Sequence, residues 1–332
     1  MDSPLVGDTV VMKTGLVLGA GGLVGMAYHA GVLHALEQEA GFVANDADLI
    51  VGTSAGSVVG AYVRAGWSTE DFWLLALGEH PELEAIGGTD PLDARRRIMT
   101  PAFRSPLDFA RRAVGSAYIA SRSVMRMAMP IPGALAHLFP GGLFTMTEGR
   151  ERFRQELSED WPERDLYLCA VDVNTGRRVV LGRKGSPGID LPSGVMASSA
   201  IPGLYRPIRC GRMTLVDGGA HSTSNLDVAV RAGCNLVVGV VPMAFDPGSA
   251  PGSINQLIRR IPARALAAEA AAARGRGVEV LLLRPTAAEV DLHGVNMMRA
   301  EGLEKVAKAA YESTCKALAT ERFQQLFRSR AA

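Results

Sequence analysis

The stretch Asp48-Leu49-Ile50-Val51-Gly52-Thr53-Ser54-Ala55-Gly56 decides how the rest of the chain reads. Its first half is a short apolar run of strand length, and a helical pattern opens at Ser57 and continues through Val63. Between them stands Gly52-Thr53-Ser54-Ala55-Gly56, a G-x-S-x-G. Strand, sharp turn and helix in that order are what a nucleophile elbow requires. Small residues on both sides let the chain turn tightly, and the Ser54 hydroxyl is left at a helix N-terminus, where backbone N–H groups favour negative charge. The plainer alternative is a tight turn with Ser54 as an N-cap.

Working outward, the same alternation recurs. Gly15–Leu18 reads as a strand, Gly19-Ala20-Gly21-Gly22 as a turn, and a helix starts near Gly25 with apolar residues at Ala30, Leu33 and Leu36. Further strands are expected over Leu166–Val173, Arg178–Leu181, Leu215–Val216 leading into Asp217, Asn235–Val241 and Val278–Leu283. Helices are expected over Ile254–Ala273 and Glu301–Ala319. Apolar strands alternating with helices predict a three-layer α/β/α fold around a mostly parallel sheet. Length alone allows two domains. No linker or repeat divides the chain, so residues 1–13 read as a tail and 14–330 as one domain.

Composition narrows the function classes. The 332 residues are 48% hydrophobic and 21% charged, which excludes a disordered chain, a collagen and a coiled coil. Thirty-five basic residues face 34 acidic ones, so no global field would draw nucleic acid. Cys169, Cys210, Cys234 and Cys315 are widely spaced without C-x-x-C, and read as small buried hydrophobes. The first residues carry no secretory pattern. The uncharged stretch Met127–Thr147 is long enough to span a bilayer, but Pro130, Pro132 and Pro140 argue against a spanning helix. A cytoplasmic protein is the default expectation, and neither cofactor nor metal is indicated.

One region breaks the alternation. Residues 85–147 read as a helical insertion, or lid. Between Ala94 and Ala128 stand eight arginines (95, 96, 97, 104, 111, 112, 122 and 126) and one acid, Asp108. Phe103, Leu107, Phe109, Val114 and Ile119 are interleaved with them. Basic residues beside an apolar stripe fit a helix lying on an anionic membrane. The plainer reading packs the stripe on the sheet and leaves the arginines in water.

Two further turns carry chemistry. Consecutive glycines in Gly19–Gly25 allow N–H groups to point one way as an anion nest. The dinucleotide pattern G-x-G-x-x-G fails at Val24 and no Walker pattern is present, so an oxyanion hole is the better role. Asp217-Gly218-Gly219 follows the apolar run Met213–Val216 and puts a carboxylate on an uncluttered turn.

Together the three elements resemble the patatin-like phospholipase family. Leu16–Leu33 (LVLGAGGLVGMAYHAGVL) resembles its glycine block, Ala197–Pro207 (ASSAIPGLYRP) the segment before its aspartate, and Asp217–Asn225 (DGGAHSTSN) the block around it. The resemblance implies a patatin-like fold and a lipid acyl hydrolase cleaving fatty-acyl esters of phospholipids or lysophospholipids. It implies a Ser–Asp dyad: Ser54 as nucleophile in the elbow of Gly52 and Gly56, Asp217 as base on a turn supported by Gly218 and Gly219. Gly21 and Gly22, with the Leu23 N–H, would form the oxyanion hole.

The chain departs from the family's G-G-G-x-K/R-G in two places: Ala20 replaces the first glycine and Val24 the basic residue. Ala20 serves as well only if its φ is negative. Two other readings stay open. One is an α/β-hydrolase-type triad using His221 or His293. The other is a catalytically silent lipid-binding protein of the same fold. Head group, chain length and oligomeric state are not encoded in any pattern found.

Overall fold

A computed structural model describes residues 12–81, 100–125, 141–245 and 252–320. Residues 1–11 of the expected tail, Arg95, Arg96, Arg97, Arg126 and most of Met127–Thr147 lie outside these ranges.

The chain opens with β1 (Thr14–Leu18), α1 (Gly22–Ala40), β2 (Leu49–Gly52), α2 (Ala55–Arg64) and α3 (Thr69–Leu77). A two-residue pairing of β3 (Thr100–Pro101) with β4 (Phe144–Thr145) brackets α4 (Pro106–Met125), and α5 (Thr147–Glu156) follows. Then come β5 (Asp165–Asp172), β6 (Arg177–Leu181), α6 (Leu191–Ser198), β7 (Ile208–Cys210) and β8 (Met213–Asp217). The chain continues through α7 (Asp227–Arg231), β9 (Leu236–Val240), α8 (Ile254–Arg274), β10 (Glu279–Leu283), α9 (Ala287–His293) and α10 (Leu303–Leu318).

The sheet runs β10-β9-β1-β2-β5-β8-β7, with β6 also on β5. From β10 to β5 every pairing is parallel; β6, β7 and β8 add antiparallel ones. The mostly parallel α/β expectation is met. Its strands alternate cleanly between two buried sides, as a period of two demands. Leu16, Leu18, Ile50, Leu166 and Leu168 pack with α1, α2, α6 and α10 on one side. Val17, Leu49, Val51 and Cys169 pack with α7 and α8 on the other. Burial on both sides explains why these strands read as continuous apolar runs.

Register brings the ends of two strands together. At Leu168–Asp172, β6 occupies one edge of β5. Leu168 also pairs with Gly52 of β2, and Ala170 with Asp217 of β8. A strand has only two edges, so β2 and β8 share the remaining one, end to end and in opposite directions. Their C-termini meet two β5 residues apart.

The structure shifts several boundaries. The first helix begins at Gly22, three residues before the expected start, because the Gly25 N–H already closes a turn on the Gly21 carbonyl at 2.7 Å. The elbow helix begins at Ala55, two residues before the expected Ser57. Sequence reading passed over α3, although Ser68 and Asp71 spell its capping box. It also passed over α6, capped by Asp190 with Pro192 in its first turn. Cys169, Cys210 and Cys234 are buried as expected, while Cys315 is only half-buried.

The long helices α1 and α10 cross with almost no space between them. A Cβ on Gly31 would stand 2.2 Å from the Ala307 carbonyl oxygen. Gly31→Ala must push the helices apart, an overpacking cost of about 1–3 kcal/mol. We expect a fall of several degrees in the thermal midpoint; an unchanged melt would mean that α10 shifts freely.

Candidate active site

Ser54 stands directly after β2 at φ 54° and ψ −118°, a conformation that non-glycine residues rarely adopt. Such strain persists only where the surroundings enforce it. Here the surroundings are glycines and hydrogen bonds. A Cβ on Gly56 would come within 2.0 Å of the Leu18 carbonyl, and one on Gly52 within 2.6 Å of Ser57 Cα. The Ser54 N–H donates to Ser198 Oγ at 3.1 Å, while the Ser198 hydroxyl donates to the Cys169 carbonyl at 2.7 Å. The Ser54 carbonyl accepts from the Ser57 N–H at 2.8 Å and the Ser57 hydroxyl at 2.6 Å. Ser54 therefore does not cap α2 through its side chain, and its hydroxyl is left for another partner.

The buried Asp217 carboxylate lies within reach of it, and its Oδ1 accepts the Gly219 N–H at 2.7 Å. Burial pushes the Asp217 carboxyl up to about 6, against the opposing pull of Ser54 and the Gly219 N–H. A Cβ on Gly218 would strike the Cys169 carbonyl at 2.3 Å, so the turn can pass β5 only as glycine.

The glycine nest lies beside this pair. An added Cβ on Gly219 would lie 3.4 Å from Ala20 Cβ, and one on Gly25 3.6 Å from Ala55 Cβ. The Gly19 N–H donates to Val240 and the Ala20 N–H to Thr223. The Val24 N–H donates to Met297 at 3.1 Å. The N–H groups of Gly21, Gly22 and Leu23, at the N-terminus of α1, have no such backbone acceptor among the described residues. The same holds for the Ala55 N–H, at the N-terminus of α2. Two helix N-termini thus converge, and converging helix starts are suited to hold an anion. Gly22 sits at φ 58°, and a Cβ there would lie 2.5 Å from the Met297 carbonyl. Ala20 has no positive φ, so its methyl costs nothing. Val24 is fully buried and takes the inward face of α1, where a charge would be desolvated.

Supporting groups were not foreseen. His29 Nε2 lies 2.8 Å from the Gly19 carbonyl beneath the nest, and burial holds the ring neutral with its pKa lowered to about 4. Asn225, at φ 53°, donates to Thr53 Oγ1 at 3.0 Å and accepts from Arg178, which forks onto Asp227 at 2.6 and 2.7 Å. The Glu269 carboxylate accepts the hydroxyls of Ser222 and Ser224, both at 2.6 Å. The polar run after Asp217 is thereby clamped to α8. Its serine-rich composition was the available signal. Ser198 and the Ala55 N–H had no comparable mark.

His293 falls elsewhere. It is buried against Arg259, with Nδ1 at 3.1 Å from the guanidinium, and edge-on to Tyr28. Burial, then Arg259 and Arg299, lower its pKa to about 3. A cleft of about 390 Å³ lined by Arg150, Arg206 and Arg209 lies apart; neither Ser54 nor Asp217 lines it.

Three solved structures resemble the chain at low identity. VipD from Legionella pneumophila is 16% identical with a TM-score of 0.46, over 96% of this chain and 67% of that one. The type III effector ExoU is 17% identical with a TM-score of 0.37, over 95% and 53%. The ExoU–SpcU complex of the Pseudomonas aeruginosa type III secretion system gives 19% and 0.36, over 94% and 52%. The chain therefore spans about half the length of ExoU. A family model described as patatin-like phospholipase matches residues 16–230, and since that is well over half of the 332 residues, the chain belongs to the patatin-like phospholipase family.

Proposed function

We propose that this chain is a serine lipid acyl hydrolase that cleaves fatty-acyl ester bonds, with phospholipids or lysophospholipids as the favoured substrates, through a Ser54–Asp217 dyad. Family membership supports lipid acyl hydrolysis as the chemistry. The single observation that carries the dyad is a strained, buried serine set within reach of a buried carboxylate whose pKa is raised.

In this reading Asp217 takes the Ser54 proton as Oγ attacks the ester carbonyl carbon. The tetrahedral oxyanion is held by the N–H groups of Gly21, Gly22 and Leu23, with Ala55 adding a fourth donor. Each such donor is worth on the order of 10²–10³ in rate. The intermediate collapses, the C–O bond breaks, and the leaving alcohol takes the proton from Asp217. Water, deprotonated by the same carboxylate, then releases the fatty acid and restores Ser54. An ordinary carboxylate is too weak a base for this work; a pKa near 6 brings Asp217 closer to the operating pH.

Neither rival reading gains from the geometry. The position of His293 against Arg259 disfavours a triad through that residue. The negative φ of Ala20 removes part of the motive for a silent protein.

Hydrolysis of a medium-chain p-nitrophenyl ester tests the proposal. Ser54→Ala and Asp217→Asn are each expected to lose on the order of 10³-fold or more in kcat/KM, whereas His221→Ala keeps most activity. A fluorophosphonate should label Ser54 by mass spectrometry. Unlabelled Ser54 with unchanged mutant rates would sink the proposal.

The pH dependence has a definite sign. Asp217 must be ionised to act as base, so kcat/KM should fall below about pH 6 and level off above it. For stability the same shift works oppositely. A carboxyl whose folded pKa is raised favours the folded state below its unfolded pKa, and that contribution is lost as pH rises through about 6. Asp217→Asn should therefore melt above wild type at pH 8, with the gap shrinking toward pH 5. A constant gap would contradict the raised pKa.

A further inference from the structure

Eleven large hydrophobic residues are exposed among the described residues. Seven lie on two helices: Leu107, Phe109 and Val114 on α4, and Ile254, Leu257, Ile258 and Ile261 on α8. In α8 the inward face is Ala263, Leu266, Ala270 and Ala273. At 100° per residue, Ile254, Leu257 and Ile261 fall on the opposite face with Ile258 at its edge, and Ile261 is 78% exposed. A helix apolar on both faces belongs inside a protein or against an apolar partner.

The charges on the N-terminal half of α8 have one sign. From Gly252 to Ala268 the chain carries Arg259, Arg260 and Arg264 and no acid. Arg259 turns inward to the Pro242 carbonyl at 2.7 Å. Arg264 is exposed and Arg260 half-exposed, on the flank of the apolar stripe. On α4, Leu107 (70% exposed) and Val114 (56%) lie two turns apart, with exposed Arg104 and Arg111 beside them.

Both helices lie on the same side of the sheet. Ile119 of α4 packs on Val171, Val173 and Val216. Val171 and Val173 alternate in step with Cys169, which faces the α7–α8 layer. Both helices also adjoin the candidate active site. Val216 precedes Asp217, and Arg259 contacts Met297, whose carbonyl receives the Val24 N–H beside the nest.

We infer that the outward faces of α8 and α4 together form a docking surface for an anionic lipid bilayer. The isoleucines and leucines enter the acyl boundary and Arg260, Arg264, Arg104 and Arg111 meet the head groups. A second copy of the chain is the poorer occupant, because symmetric pairing of these faces would oppose arginine to arginine. The inference does not depend on the hydrolase reading, so binding is measured on Ser54→Ala, which isolates it from turnover.

The experiment is sedimentation with vesicles of phosphatidylcholine alone and of phosphatidylcholine with phosphatidylglycerol at 7:3. The full chain should partition onto the anionic vesicles, less so at high salt. The triple variant Leu257→Ser, Ile258→Ser, Ile261→Ser should lower the partition coefficient at least about tenfold. Arg260→Gln with Arg264→Gln should lower it on the anionic vesicles by about fivefold per arginine and narrow the lipid preference accordingly. Both must keep the parent melting temperature, which confirms folding. No partition, or partition indifferent to both variants, overturns the inference. So does a concentration-dependent dimer in light scattering that the triple variant dissolves, since the face would then be a protein interface.

Discussion

The arrangement depends on one edge of β5. Because β6 holds the opposite edge, β2 and β8 must share what remains, and they approach each other head to head. A parallel strand ends there two residues before Ser54, and an antiparallel one ends in Asp217. No flexible loop has to bring the two together; ladder hydrogen bonds do so. Precision of this kind is why sites built on strand ends hold tighter geometry than sites on loops.

The site is costly to hold. A non-glycine residue is kept at positive φ, a carboxylate is buried, and helix N–H groups are left without backbone acceptors. Each would be unfavourable alone. Compensation comes from the surroundings: glycines at 52, 56 and 218 permit near-contact of backbones, and Ser198, Asn225 and Glu269 tie the turns to β5, the elbow and α8. The strain and the raised pKa therefore belong to one construction.

Much of this was legible beforehand, for identifiable reasons. Gly52, Ser54, Gly56 and Asp217 announce themselves because turns of this tightness admit few residue types, and the parallel strands because burial on both sides leaves long apolar runs. The outward face of α8 was not legible. An apolar stripe looks the same in sequence whether it faces a core or solvent, and only the packing of Ala263 and Leu266 shows which side is inward. The basic window around α4 was visible, but its orientation on the sheet was not.

The chain's own order of residues thus determined the elements, the three chemical turns and the family resemblance, since local backbone sterics and hydrophobic periodicity act over a few residues. Tertiary structure alone decided that Ser54 reaches Asp217 across 163 positions of sequence, that Ser198 and the Ala55 N–H join the site, and that His293 turns away to Arg259. Those outcomes follow from strand register and helix packing, which depend on which distant surfaces bury each other and leave no mark on any local stretch of sequence.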